Sequence, residues 1–204
     1  MGGVKLILDG SPQGKTAYIT KPYLVPPHGQ DEQYKGYPLI PQDSVDQLIN
    51  KYSMAEIPIM AHANGDAAAD MLLEAVRKSS ISSDHRTVMI HAQTVREDQL
   101  DQMKKLKIIP SYFSTHTFYW GDWHRDSVLG PERAMRISPT RSALDRNMLY
   151  TAHNDAPVTL PNAMMILSSQ VNRTTRSGKV LGESQRVSVE EALKSITVNA
   201  AYQS

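Results

Sequence analysis

The chain has 204 residues, 40% hydrophobic and 21% charged, with a formal net charge of +1. That is the profile of one globular domain with a sizeable core, and it carries neither a nucleic-acid nor a membrane-surface footprint. Cysteine is absent, which excludes disulfides and thiolate metal sites and leaves His, Asp, Glu or a modified side chain to hold any metal. No apolar run approaches the ~20 residues of a membrane span, and no secretory signal opens the chain. The sequence therefore reads as cytoplasmic, without membrane or nucleic-acid partners.

The first element, VKLILDG, reads as a strand. It runs into SPQGKTAY, a Gly-rich turn that imitates a phosphate-binding loop. Asp9 stands where that loop needs its first glycine, Gly10 comes one place late, and Pro12 removes a backbone N–H. An NTPase is set aside on these grounds, with Lys15 and Thr16 expected to be exposed or near substrate. A Pro-, Gly- and Tyr-rich loop from Pro22 to Pro41 follows, in which His28 marks a candidate lid.

Asp43 or Ser44 then caps a helix with Val45, Leu48, Ile49 and Tyr52 on one face. IPIMAHA is the second strand. Asn64-Gly65-Asp66 opens a helix that buries Ala68, Met71, Leu72, Ala75 and Val76. TVMIHA is the third strand, and His85 just before it is placed at the end away from the chemistry. Thr94-x-x-Glu97 reads as a capping box, followed by Leu100, Met103 and a lysine-rich last turn. KIIPSYF is the fourth strand, leading to a long loop, and MLYTAHNDAPV the fifth. The basic stretch NRTTRSGK reads as a solvated loop. Ser188-x-x-Glu191 caps a final helix running towards Tyr202. Strands separated by helical patterns imply βα units and a parallel α/β sheet in one domain.

Three strands end alike. IPIMAHA delivers His62, TVMIHA delivers His91, and the fifth strand delivers His153 and Asp155. On a parallel βα barrel such positions share the rim where active sites are built. A lone His at a strand end is commonly a hydrogen-bonded structural residue, and a lone Asp a turn residue. Imidazole, imidazole and carboxylate at successive strand ends together suit a divalent cation, Zn²⁺ foremost, as one or two ions.

The blocks VKLILDGSPQGKTAY, AHANGDAA, HRTVMIHAQ, PSYFSTHTFYWGDWH, LGPERAMRISP and TAHNDAPV resemble the metal-dependent amidohydrolase superfamily, in its amidohydrolase-3 group that contains the N-substituted formamide deformylases. The resemblance implies a partial (β/α)8 barrel of the TIM type, with this chain supplying strands four to eight. It implies His62 and His91 as metal ligands after strands five and six. Asp155 would be a metal ligand and the general base after strand eight. Lys5 would be the strand-four lysine whose carboxylated form bridges two metals. A lysine desolvated at a strand end has the lowered pKa that CO₂ addition needs, so Lys5 rather than Lys15 is the lysine of interest. The implied substrate is a small molecule with an amide, formamide or cyclic amide C–N bond, and a homo-oligomer is expected.

The family's His-x-His pair has no counterpart among the seven histidines. The chain therefore also reads as an incomplete half-barrel that self-associates or needs a missing N-terminal half. His116, Trp120, Asp122, Trp123 and His124 cluster after the fourth strand, either walling a substrate pocket or anchoring a loop. His116, Trp120, His124 and His153 are the substrate-facing candidates.

Overall fold

The structure, a computed structural model, describes residues 3–80 and 84–203. Five strands, β1 Val4–Ile7, β2 Ile59–Ala63, β3 Val88–His91, β4 Ile109–Tyr112 and β5 Thr151–Ala152, lie in chain order in one sheet. Every pairing is parallel. Helices α1 Gln42–Met54, α2 Asp66–Lys78 and α3 Glu97–Lys105 make the first three crossovers.

Alternation along β2 explains which face they cover. Ile59, Ala61 and Ala63 are buried, whereas Met60 and His62 are half-buried. The buried set joins Leu6, Leu8, Val45, Ile49, Leu72 and Met89 in one core between sheet and helices. A fully buried Leu or Ile side chain there contributes about 1.5–3 kcal/mol. The opposite face carries Lys5 and Ile7, both exposed, Ile7 by 49%. All five expected strands are present, although β5 is shorter than the run that suggested it.

Several local expectations are corrected. Helix α1 starts at Gln42 behind Pro41, ahead of Asp43 and Ser44. Helix α3 is capped at Arg96, whose backbone N–H donates to Gln99 Oε1 at 2.9 Å. Thr94 instead donates to the Asn64 carbonyl at 3.0 Å, so a tertiary acceptor wins over the local cap. The long loop after β4 is helical: α4 His116–Trp123, a π-turn His124–Val128, α5 Pro131–Ala134 and α6 Thr140–Asp145. After β5 come α7 Ala163–Val171, α8 Val189–Ile196 and α9 Val198–Gln203. Ser188 caps α8, its Oγ accepting from Glu191 N at 3.2 Å, and the helical run breaks at Thr197.

The basic stretch is not simply a solvated loop. Arg176 and Lys179 are exposed, but Arg173 is fully buried. Its guanidinium donates to the carbonyls of Leu181, Ser138 and Ile137. Periodicity could not reveal this, because two of the acceptors, Ser138 and Ile137, lie in a segment remote in sequence. Among the described residues no helix is long and apolar enough to cross a membrane.

Candidate metal centre

His62 and His91 reach the same point by different routes. His62 pairs with Ile7 and Ile90 in the sheet register, on the face away from the helices. His91 pairs with Ala63, which would turn it towards the helices. Instead the chain leaves the extended region at His91, with φ 74°, and at Ala92, with φ 46°. Left-handed backbone at two non-glycine residues is costly and concentrates at functional sites. Here it brings His91 Nε2 to 2.9 Å from His62 Nδ1.

His153 follows β5. Its Nε2 lies 3.2 Å from His91 Nδ1, and its Nδ1 lies 3.0 Å from Ser111 Oγ on β4. Asp155, also left-handed at φ 53°, brings its carboxylate into a group with His91 and His153 whose ligand atoms all lie within 4.8 Å of one another. His62 is joined to that group through His91. His62 Nε2 sits 2.9 Å from the Gly10 carbonyl, an acceptor only. Asn64 Nδ2 lies 3.0 Å from the same nitrogen; in the tautomer with the proton on Nε2, bonded to the Gly10 carbonyl, the Nδ1 lone pair faces His91.

Burial keeps these imidazoles neutral. It holds His91 far below the ordinary histidine value, helped by the adjacent His153 and His62. It brings His153 down to about 4 and lowers His62 as well. A neutral imidazole has the lone pair a cation needs. Two nitrogens 2.9 Å apart subtend roughly 90° at an ion about 2.0–2.1 Å from each, within reach of real coordination. The donor set therefore fits a divalent metal.

A cavity of about 310 Å³ opens on this cluster, lined among others by His62, His91, Asp155, Asn64, Phe113 and His116. His116 Nδ1 and His124 Nε2 are 2.9 Å apart and both rings are buried. His116 reaches the cavity, while His124 stands behind it as partner. Trp120 packs 4.8 Å from His116, centroid to centroid. The cluster after β4 thus both walls the cavity and anchors the chain, since Asp122 accepts from Thr175 and Ser177. His28 is exposed. His85 bonds the Leu106 carbonyl just ahead of β3, at the far end of the sheet.

Two lysine expectations change. Lys5 shares the sheet face of His62 but is exposed, not desolvated, because nothing among the described residues covers that face at β1. Its charge nonetheless helps to lower His62, His91 and His153. Lys15 is buried rather than exposed, with Nζ 2.9 Å from Ser127 Oγ and 4.7 Å over the Trp123 ring. It pins the rim loop to the π-turn and offers no phosphate cradle. Thr16 does border the cavity.

The residue that sequence reasoning passed over is Asp9. It is fully buried and accepts backbone N–H groups from Tyr18, Asn64 and Gly65 at 3.0, 2.9 and 2.7 Å. Burial raises its pKa to about 7 against those three donors, which lower it. The available signal was its position, a carboxylate closing an apolar strand as His62 does.

The chain is similar to several known proteins. A putative amidohydrolase, YtcJ, of Bacillus subtilis is 24% identical over 98% of this chain and 37% of its own length. The N-substituted formamide deformylase of Arthrobacter pascens is 27% identical over 80% of this chain and 30% of its own. The crystal structure of an uncharacterized metal-dependent hydrolase from Pyrococcus horikoshii OT3 superposes with a TM-score of 0.84 at 26% identity, covering 98% of this chain and 40% of that one. The chain thus spans well under half of the proteins it matches. The model of the amidohydrolase family matches residues 1–204, and the chain belongs to that family.

Proposed function

We propose that this chain forms the metal-holding part of a hydrolase that cleaves non-peptide C–N bonds in amides, formamides or cyclic amides. In this reading its five strands correspond to strands four to eight of an eight-stranded barrel. The observation that carries the proposal is the meeting of His62 Nδ1 and His91 Nε2 at 2.9 Å, from strand ends 29 residues apart. Support comes from the metal-dependent hydrolase likeness and from the deformylase relative.

His62, His91 and Asp155 would hold the cation, zinc foremost, as one ion or two. Bound there, a divalent cation lowers the pKa of water and polarises a carbonyl. The rest falls to the chain itself. The Asp155 carboxylate takes the proton of the attacking water and returns it to the leaving amine. Asn64 and His116 offer hydrogen bonds to the amide from the cavity wall, and Phe113 supplies an apolar surface for the acyl or amine substituent. Lys5, on the same sheet face as His62, would lie beside the site under further strands covering that face.

Metal analysis and turnover of an N-substituted formamide by the full-length form, with and without His62→Ala, test this. Loss of both supports it; unchanged metal content and activity would overturn it.

A second reading is favoured by the exposed Ile7 and by β1 and β5, which among the described residues end the sheet without outer partners. Open strand edges beside an apolar face promote pairing. In this reading the isolated chain is catalytically incomplete and self-associates or pairs with a complementary half. Size-exclusion chromatography with light scattering decides it, and a stable monomer sinks it.

A further inference from the structure

We propose that His153 and Ser111 are positioning residues that orient His91 and assign its proton, rather than ligands or substrate contacts. The inference rests on a cation being held by His62 and His91.

An imidazole that gives its Nε2 lone pair to a cation must carry its proton on Nδ1, and that N–H needs an acceptor. His91 is only 2% exposed, so bulk water does not serve. The group facing its Nδ1 is His153 Nε2, at 3.2 Å. Accepting there places the His153 proton on Nδ1, which faces Ser111 Oγ at 3.0 Å. A hydroxyl oxygen accepts such a bond readily. The line Ser111–His153–His91 therefore satisfies His91 Nδ1 and both nitrogens of His153, and it spans β4, the end of β5 and the end of β3.

The same line has a second consistent state without a cation. With His62 Nε2 donating to the Gly10 carbonyl, His62 Nδ1 accepts from His91 Nε2–H. His91 Nδ1 then accepts from His153 Nε2–H, and His153 Nδ1 from the Ser111 hydroxyl. His91 and His153 each move their proton to the other nitrogen between the two states, with neither ring gaining charge. A serine suits the end of the line because its hydroxyl both donates and accepts.

His153 stands half-buried beside His91. His62, His91 and Asp155 line the cavity, and His153 is not among its lining residues. The competing assignment, His153 as a direct ligand, draws on its place within 4.8 Å of the His91 and Asp155 ligand atoms.

Titration of the full chain with Co²⁺, followed by visible absorption, separates them. For a positioning residue, His153→Ala weakens Co²⁺ binding by about 10–100-fold but leaves the band positions of the bound ion unchanged. His153→Gln, whose Oε1 accepts from His91 Nδ1–H, recovers most of the affinity. Ser111→Ala gives a smaller loss of the same kind. For a direct ligand, both His153 variants shift the bands and Gln gives no recovery, which would overturn the proposal. Wild-type affinity in both His153 variants would overturn it too. His62→Ala is the control for the parent reading: if it binds Co²⁺ as the wild type does, the cation site itself is wrong, whatever His153 does.

Discussion

Asp9 Oδ1 lies 3.5 Å from His62 Nε2, at the ends of neighbouring strands. The same carboxylate collects the backbone N–H groups of Tyr18, Asn64 and Gly65. It thereby ties the rim loop after β1 to the turn that follows His62. Removing an acceptor from a buried donor costs about 1–3 kcal/mol, and three donors are at stake. Asp9→Ala is expected to lose at least about 3 kcal/mol in urea denaturation, whereas Asp9→Asn, which keeps one carbonyl oxygen, loses less. Equal stability of Asp9→Ala and the wild type would remove Asp9 from this role.

Gly65 holds that turn by having no side chain. A Cβ there would meet the Tyr18 carbonyl oxygen at 1.8 Å, and that oxygen also accepts from the first amides of α2, Ala67 and Ala68. Gly65→Ala must push the two segments apart, a clash of the kind that costs about 1–3 kcal/mol. Metal affinity should fall with stability, because His62 is three residues away. A variant with wild-type melting and metal binding would contradict this.

Arg173 tests whether the buried guanidinium is structural. It joins α7 to the segments around Ile137 and Leu181 through three carbonyls, with burial pushing its pKa down to about 9. Hydrogen bonds to charged groups contribute about 1.5–3 kcal/mol, so Arg173→Met is expected to destabilise by more than about 2 kcal/mol. Arg173→Lys should recover less than half of the loss, because an ammonium cannot present the planar fork. Full recovery by lysine would show that charge alone matters.

The paired His116 and His124 set a pH dependence. Burial lowers His124 from 6.5 to about 3 and His116 well below 6.5. A depressed histidine means that the unfolded chain binds protons more readily below pH 6.5. The stability contributed is whole above that pH and lost as pH falls, by about 1.4 kcal/mol per pH unit for each group. Asp9, raised to about 7, acts oppositely, whereas the lowered His62, His91 and His153 act with the pair. Urea midpoints are therefore expected to drop from neutral pH to about pH 5.5, with a shallower drop in His124→Phe. A flat profile in the wild type would contradict the burial of the pair.

Local pattern was enough to reveal the five strands, the βα alternation, the buried side of α2, the Ser188 cap and the placing of His62, His91, His153 and Asp155 at strand ends. Period and punctuation are local properties, written in consecutive residues. Tertiary structure alone decided the rest. Register would have sent His91 to the helix side, and only the left-handed turn at its own backbone brings it to His62. Arg173 is buried because its acceptors arrive from elsewhere in the chain, and Lys5 is exposed because no described segment covers β1. The company His153 keeps depends on β3, β4 and β5 meeting. Burial and hydrogen-bond partnership are set by groups distant in sequence, and no count along the chain contains them.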